Sequence, residues 1–481
     1  MPAHGQGIGE EPPAADLLLV GGDVVTMDAA RRVVTGASIA VVAGRIAAIG
    51  DADSVRARFP GVPELDARGC VIVPGMINAH QHTTGTPLIR SVIPDDIDSQ
   101  QSIFGWTVPV QAAVDADDDQ LAATITAVES LLHGVTTMLE PGTVAHPLRV
   151  AEGFAAAGIR GRVGRWGWDV AGLPYTGSVE DTLAWQEETV KALPPDGLVT
   201  GWVTLVGHGL ASDELFVGAA ELAGRLDVPL TWHISPSHDD GDTYAQRSGL
   251  RPVVHLQRLG VLGPRLLLGH AVWLDDAELD AIVETGTAVA SCPAAYLRLG
   301  QGYVRAGRHV ELIRRGGRIA LGCDAHNAAD APDVLHAAWL IAALDRDRGT
   351  ATPLRADEAF ALATIDGAHA VGMGEVVGSI EVGKAADLVV LDTRDIAWIP
   401  RGELSRQLVW GTGARAVRDV LVDGRIVVRD RQVTTVDIDA LRAEAAQRSA
   451  SLMRRAGLDA PHRWPRVAAS DLHAPVRGAS T

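Results

Sequence analysis

Three cysteines in 481 residues, Cys70, Cys292 and Cys323, are too few and too scattered for a disulfide framework, and none stands in the CxxC spacing of a cysteine zinc site. Each lies in an apolar run and reads as a small buried hydrophobe. Lysine is scarcer still, with only Lys191 and Lys384. No uninterrupted apolar run approaches the roughly 18 residues a membrane helix needs. The opening MPAHGQGIGEEPPAAD lacks the basic-then-apolar order of a secretory signal, so a cytoplasmic protein with no membrane partner is expected. Positive charge is also deficient: 42 Lys and Arg against 60 Asp and Glu leave a net charge of −18. That field disfavours the phosphate backbone of nucleic acid and suits a neutral or cationic small molecule. With 47% apolar residues the chain can still bury a large core.

From Asp16 to Val73 short β-branched runs are broken by Gly and Asp, as in LLLVGG and RIAAIGD, and the same texture returns after Gly378 in ADLVVLD and VRDVLVDGRIVV. The two ends are therefore expected to combine into one small β-sandwich domain, residues 16–73 plus 378–436. Residues 1–15 are expected to form a tail, and 437–481 a helix and tail. Between them, residues 74–377 alternate eight apolar β runs with amphipathic stretches. The runs are CVIVPGMINAH, GVTTMLE, IRGRVGRWGW, GWVTLVG, VPLTWHI, RLLLGH, TAVASC and RIALGCD. The stretches DADDDQLAATITAVESLLHG, SDELFVGAAELAGRL and DDAELDAIVETG open on acidic turns that favour the positive end of a helix dipole. Eight βα repeats read as an α/β fold, a (β/α)8 TIM-like barrel, whose chemistry sits at the C-terminal strand ends. A doubly wound open sheet is the alternative, but no GxGxxG opens a first helix.

His80 and His82 follow the first apolar run, and their alternation puts both side chains on one face. His233 ends the fifth run, His270 the sixth and Asp324 the eighth. Three imidazoles, a carboxylate and an open position are what a Lewis-acid metal needs to activate water. Neither lysine ends a strand, so a two-metal centre bridged by a modified lysine is excluded and one ion is expected. In the loops at the barrel mouth, Trp106, Trp166 and Trp168 offer flat rings for an apolar or planar substrate, and Gln101 and Arg90 offer polar groups to orient it.

The motifs PGMINAHQH, GVTTMLE, HGLASDEL, WHI, LLLGHAVWLDDAEL, GCDAHN and EVGKAADLVVLD together make the chain similar to the amidohydrolase superfamily. The match is to its mononuclear-metal branch of cytosine, guanine and adenosyl-type deaminases and triazine chlorohydrolases. The resemblance implies His80, His82, His233 and Asp324 as ligands of one divalent ion, zinc first and iron second. It implies His270 as the group that positions the attacking water, Asp324 as the acceptor of its proton, and His208 as a catalytic or substrate-contacting histidine. It further implies a homo-oligomer and a small, nitrogen-containing, cyclic substrate that loses an amino group, another C–N leaving group or a halide.

Three departures mark the substrate side. The family's HxxE on the fifth strand is here His233, Ile234, Ser235, Pro236, and proline cannot move a proton. CPxSN is replaced by Cys292 through Tyr296, and the loop after Asp324 runs through Asn327 to two alanines. Tyr296 and Asn327 are accordingly expected substrate contacts, and His238, Asp239 and Asp240 the source of a replacement acid. Little turnover of cytosine, guanine or adenosine is expected. Two other classes stay open: a metal-dependent lyase or isomerase, and a noncatalytic scaffold, against which the complete ligand set argues.

Overall fold

The computed structural model describes residues 16–469, so the expected tail 1–15 and the last residues of the C-terminal segment lie outside the described residues. Strands from both chain ends share one nine-stranded sheet. Cys70–Pro74 is its hinge, pairing parallel with Leu17–Val25 and antiparallel with Leu388–Asp392. Leu19, Ile39, Ile72, Leu388 and Val390 are buried together on one face. The sheet curls until its distant hairpins meet: Ala386 N donates to Gly44 O at 2.8 Å and Gly424 N to Ala386 O at 3.1 Å. Gly44 is required there, because its φ is +76° and an added Cβ would stand 2.8 Å from the Asp423 carbonyl oxygen.

The run CVIVPGMINAH, read from sequence as one strand, is two. Pro74 has no N–H for the ladder, and a Cβ at Gly75 would lie 2.0 Å from Thr136 Oγ1. The chain therefore leaves the outer sheet at Pro74 and begins a second one at β1, Met76–Asn78. Then follow β2 (Val135–Leu139), β3 (Arg160–Val163) and β4 (Val199–Gly201), which form a four-stranded parallel sheet with β1. A five-stranded parallel sheet holds β5 (Val203–Gly207), β6 (Leu230–Ile234), β7 (Leu266–His270), β8 (Ala288–Ser291) and β9 (Arg318–Leu321). The run GWVTLVG thus opens on the last residue of β4 and continues as β5, the two strands separated only by Trp202, whose Nε1 donates to Glu140 O at 2.9 Å. At the other edge, Ala79 N donates to Leu321 O and Asp324 N to His80 O, both at 2.8 Å.

Four helices matter for the site: α1 (Val108–Ala113), α2 (Ala116–Leu132), α3 (Asp239–Ser248) and α4 (Ile438–Ala456). α2 starts on a capping box in which the Asp115 carboxylate accepts from the amides of Asp117 and Asp118. α4 lies across α1 and α2. Its Leu452 is fully buried beside Leu88, Ile89, Val110 and Val114, while Arg448 bonds Asp115, Asp117 and Asp118. The outer sheet is tied to β3 by Arg160, which grips Asp387 through two contacts of 2.9 and 3.0 Å and also reaches Asp423. Among the described residues no helix is long and apolar enough to cross a membrane.

Candidate metal centre and adjoining cavity

Parallel strands deliver their C-terminal ends to one side, and there His80, His82, His233, His270 and Asp324 converge, all buried. The Nε2 atoms of His82 and His233 face each other at 3.1 Å, their rings nearly parallel with centroids 5.1 Å apart. His80 stands edge-on to both, at 5.0 and 4.8 Å. The outer nitrogens are engaged: His233 Nδ1 lies 2.7 Å from Val206 O, so it is the donor and Nε2 keeps its lone pair. His82 Nδ1 meets Thr143 Oγ1 at 2.7 Å, and that hydroxyl donates onward to Glu140. Fixing the outer nitrogen as a donor is how proteins aim a histidine lone pair at a cation. Burial pushes His82 down to about 3, which keeps its imidazole neutral and able to ligate at physiological pH.

Asp324 Oδ1 lies 3.5 Å from His82 Nε2 and accepts from Ala325 N at 2.8 Å. Burial pushes this carboxyl up to about 6. The backbone is strained around the cluster: Ser235, His270 and Asp324 have φ of +47°, +75° and +67° without being glycine. Part of that strain is held by His309, whose Nε2 reaches His270 O at 2.8 Å. His80, His82 and His233 offer ligand atoms that all lie within 4.8 Å of one another. A second grouping, His80, His270 and Cys292, shares the same spacing. Burial holds the Cys292 thiol well above its ordinary value, so it stays protonated and is the poorer ligand. The donor set of the first grouping fits a borderline metal ion in a site with one open position.

The cluster forms one end of a cavity of about 380 Å3. Trp166, Trp168, Asn327 and Pro236 line it, together with Phe104, Leu210 and Leu299. Of the acidic loop after β6, only Asp240 does so. His238 and Asp239 are exposed, and His238 rests against the edge of Trp273. Gln101 is exposed, and its neighbours Ser99 and Gln100 face the cavity in its place. Trp106 packs instead with Leu88, Val110 and the α4 residues. Tyr296 is buried behind His270, its hydroxyl accepting from Cys292 N at 2.8 Å and donating to Ala290 O. It therefore shapes the strand ends and is not part of the cavity wall. Arg90 is bound by Glu129 and Asp330. His208 opens a short turn, His208–Leu210, and its side chain lies outside the described set.

Sequence reasoning missed several residues. Glu140 is the last letter of GVTTMLE; it is fully buried, accepts from Gly142 N at 2.7 Å and is pushed up to about 8 by burial. Thr143 links it to His82. Gln111 and Gln301 line the cavity, and neither stands in a motif.

A family model for the amidohydrolase family matches residues 71–427. A 5-methylthioadenosine/S-adenosylhomocysteine deaminase from Syntrophobacter fumaroxidans is 32% identical over 426 residues, 88% of this chain and 95% of its own length. Another, from Natronomonas pharaonis, is 30% identical over 86% of this chain and 93% of its own. Among solved structures, an adenosine deaminase from Xanthomonas campestris with bound zinc superposes with a TM-score of 0.86 at 28% identity, covering 92% of this chain and all of that one. A zinc-complexed atrazine chlorohydrolase from Arthrobacter aurescens shares the fold, with a TM-score of 0.82 at 22% identity over 90% of this chain and 100% of its own. The chain belongs to the amidohydrolase family, with its TIM-barrel α/β fold, and is an enzyme that hydrolyses C–N bonds.

Proposed function

We propose that His80, His82, His233 and Asp324 hold one divalent ion, zinc first, and that the enzyme releases an amino group or a comparable leaving group from an electrophilic carbon of a small cyclic substrate. The zinc reported for the two structural relatives supports the choice of metal. Bound there, the ion supplies the Lewis acidity that brings the pKa of a water toward neutrality. The chain's own groups do the rest. His270 holds the attacking water and then the developing oxyanion, while Asp324 accepts the water's proton. The return of a proton to the leaving nitrogen needs an acid that Pro236 cannot be. Asp240, the one member of the acidic loop that faces the cavity, is the proposed donor. Its Oδ2 is pinned by the amide of Ser237 at 3.0 Å and by that residue's hydroxyl at 3.2 Å. The observation that carries the reading is the facing pair of His82 and His233 lone pairs, each set by an engaged outer nitrogen.

The domain division supports the same reading. We assign residues 74–377 to the barrel and 16–73 with 378–436 to a β-sandwich whose two layers come from the curled outer sheet. Counting β4 and β5 as one strand staggered at Trp202 gives eight. The bonds from Ala79 to Leu321 and from Asp324 to His80 support closure.

The test combines metal analysis of the purified enzyme with a screen for ammonia or halide release, run in 18O water. One equivalent of metal and solvent oxygen in the product are expected. A metal-loaded enzyme whose product carries no solvent oxygen would replace hydrolysis with elimination or isomerisation.

A further inference from the structure

We propose that His309 is the positioning residue for His270: one N–H of its ring holds the two carbonyl groups that turn the chain at the end of β7, and so fixes where the His270 imidazole points. This rests on the reading of His270 as the group that holds the attacking water, and adds what holds His270 itself.

β7 ends in a turn that side chains resist. His270 and the next residue, Ala271, have φ of +75° and +49°, two left-handed residues in succession and neither of them glycine. The peptide groups on either side of Ala271 are gripped at both ends. Ala271 N donates to Ile234 O at 2.8 Å and Val272 N to Ser235 O at 3.0 Å, which secures their N–H ends on the residues that follow His233. Their C=O ends, those of His270 and Ala271, converge on a single atom: His309 Nε2 lies 2.8 Å from the first and 3.1 Å from the second. Between two carbonyl oxygens that nitrogen must carry the proton. The peptide before His270 is fixed by pairing of β7 with β6, and the one after it by this grip, so the Cα–Cβ bond of His270 has one direction left.

His309 is itself held for that contact. It is fully buried at the start of the short helix His309–Arg314, and the residue before it, Arg308, bonds Glu311 and Asp276. Its Nδ1 faces Ser291 Oγ, at the end of β8, at 2.8 Å; the hydroxyl donates and the tautomer is set. Burial pushes the ring down to about 4, which keeps it neutral and this division of roles intact. The ring packs against Tyr303 with centroids 5.1 Å apart, and Tyr303 stacks on Tyr296, whose hydroxyl lies 3.4 Å from His270 O. Leucine would fill the same space. What histidine adds is the donor, and a buried carbonyl that loses its donor is costly. None of Ser291, Tyr296, Tyr303 and His309 lines the cavity, so the clamp acts from behind and touches no substrate.

The experiment compares zinc-loaded His309→Leu, which keeps the bulk and removes the donor, with His309→Gln, whose side-chain N–H reaches the place of Nε2. Crystal structures should show the His270 ring displaced by about 1 Å or more in the leucine variant and in its wild-type place in the glutamine variant. With the substrate found by the screen for ammonia or halide release, kcat should fall about 10²-fold in His309→Leu at unchanged KM and metal content, and recover most of that loss in His309→Gln. Adding His309→Leu to His270→Ala should cost nothing further, because both act through one imidazole. An undisplaced His270 ring in His309→Leu overturns the proposal, and so does a loss equally deep in the two variants. Where His309→Leu fails to fold, the wild-type protein decides: in histidine-labelled enzyme, the ring nitrogen resonances that disappear in His309→Gln must show the proton on Nε2, and a proton on Nδ1 overturns the clamp. A displaced ring with undiminished turnover would sink the reading of His270 as the holder of the water and leave the clamp standing.

Discussion

The strand-end cluster and the wall of the cavity it faces are built by different means. The histidines and Asp324 leave the ends of adjacent parallel strands, where backbone pairing such as His233 with Gly269 and Ile234 with His270 sets their spacing before any side chain is chosen. The wall comes from loops and short helices, Ser99–Ala113, the start of α3 and the turns after β8 and β9. Strand ends can be kept while loops are exchanged. One set of strand-end groups can then serve different substrates, and here the residue three after His233, on the cavity wall, is Pro236.

Breaking the cluster should have the largest effect. His80→Ala or Asp324→Ala should lose the metal and with it all measurable turnover, read by elemental analysis of dialysed protein, because the remaining ligands no longer compete with water. Retention of a full equivalent in both would mean that other residues bind it. His270→Ala should keep the metal and lower turnover by about 10²-fold or more, the usual scale for a positioned acid-base or oxyanion group. On the wall, Asp240→Asn should cost about tenfold to 10²-fold in turnover, more with a leaving group that needs a proton than with one that leaves as a stable anion. A loss that is the same for both leaving groups would assign the proton to another group. Pro236→Glu places a carboxylate three residues after His233 but leaves the surrounding loop unchanged, so turnover of cytosine, guanine or adenosine should stay well below about 10 s⁻¹, the median for enzymes.

The scaffold gives smaller effects on chemistry. Asp387→Ala leaves the buried Arg160 only its contact with the exposed Asp423 carboxylate, and should cost up to roughly 3–5 kcal/mol of stability in denaturant melts while the folded fraction keeps its metal. The smallest effect concerns the loop that carries Thr143 to His82. Its His146 Nδ1 lies 2.8 Å from Asp119, whose hydrogen bond raises the imidazole above its ordinary value. A raised folded-state pKa adds stability that is complete below the unfolded value of about 6.5 and disappears as pH climbs through the folded one. His146→Gln should therefore cost under about 1 kcal/mol in mildly acid solution and less in alkaline solution, since the imidazole side of the pair is open to solvent although Asp119 is buried. A difference that grows with pH would reverse the assignment.

The cluster was legible because apolar runs mark strands and therefore their ends: His233 and His270 close two such runs, and His80 and His82, two residues apart, follow a third. The wall was not, and the reason is visible at Ser99–Ala113. A π-helical turn, Ile103–Thr107, sets the helical phase there. Gln100, Phe104, Thr107 and Gln111 face the cavity as a result, while Gln101 turns to solvent and Trp106 toward α4. No residue type in that segment announces such a turn. Asp240 was visible as one of three acids, but only the start of α3 decides that it faces inward and Asp239 does not. Gly75 is similar, since a break between two sheets looks like a continuous strand when both halves are apolar.

The seating of α4 has a consequence for how the enzyme matures. Arg448 and Arg455 grip the acidic start of α2, Arg455 also bonds the Ala113 carbonyl at the end of α1, and Leu452 fills the space behind α1, so the mouth segment is backed by the last helix of the described chain. A nascent chain emerging N-terminus first has synthesised all five cluster residues once Asp324 has appeared, well before that backing. A protease that trims the final helix would therefore strip the packing behind α1 while leaving the backbone pairings that space the strand-end cluster in place.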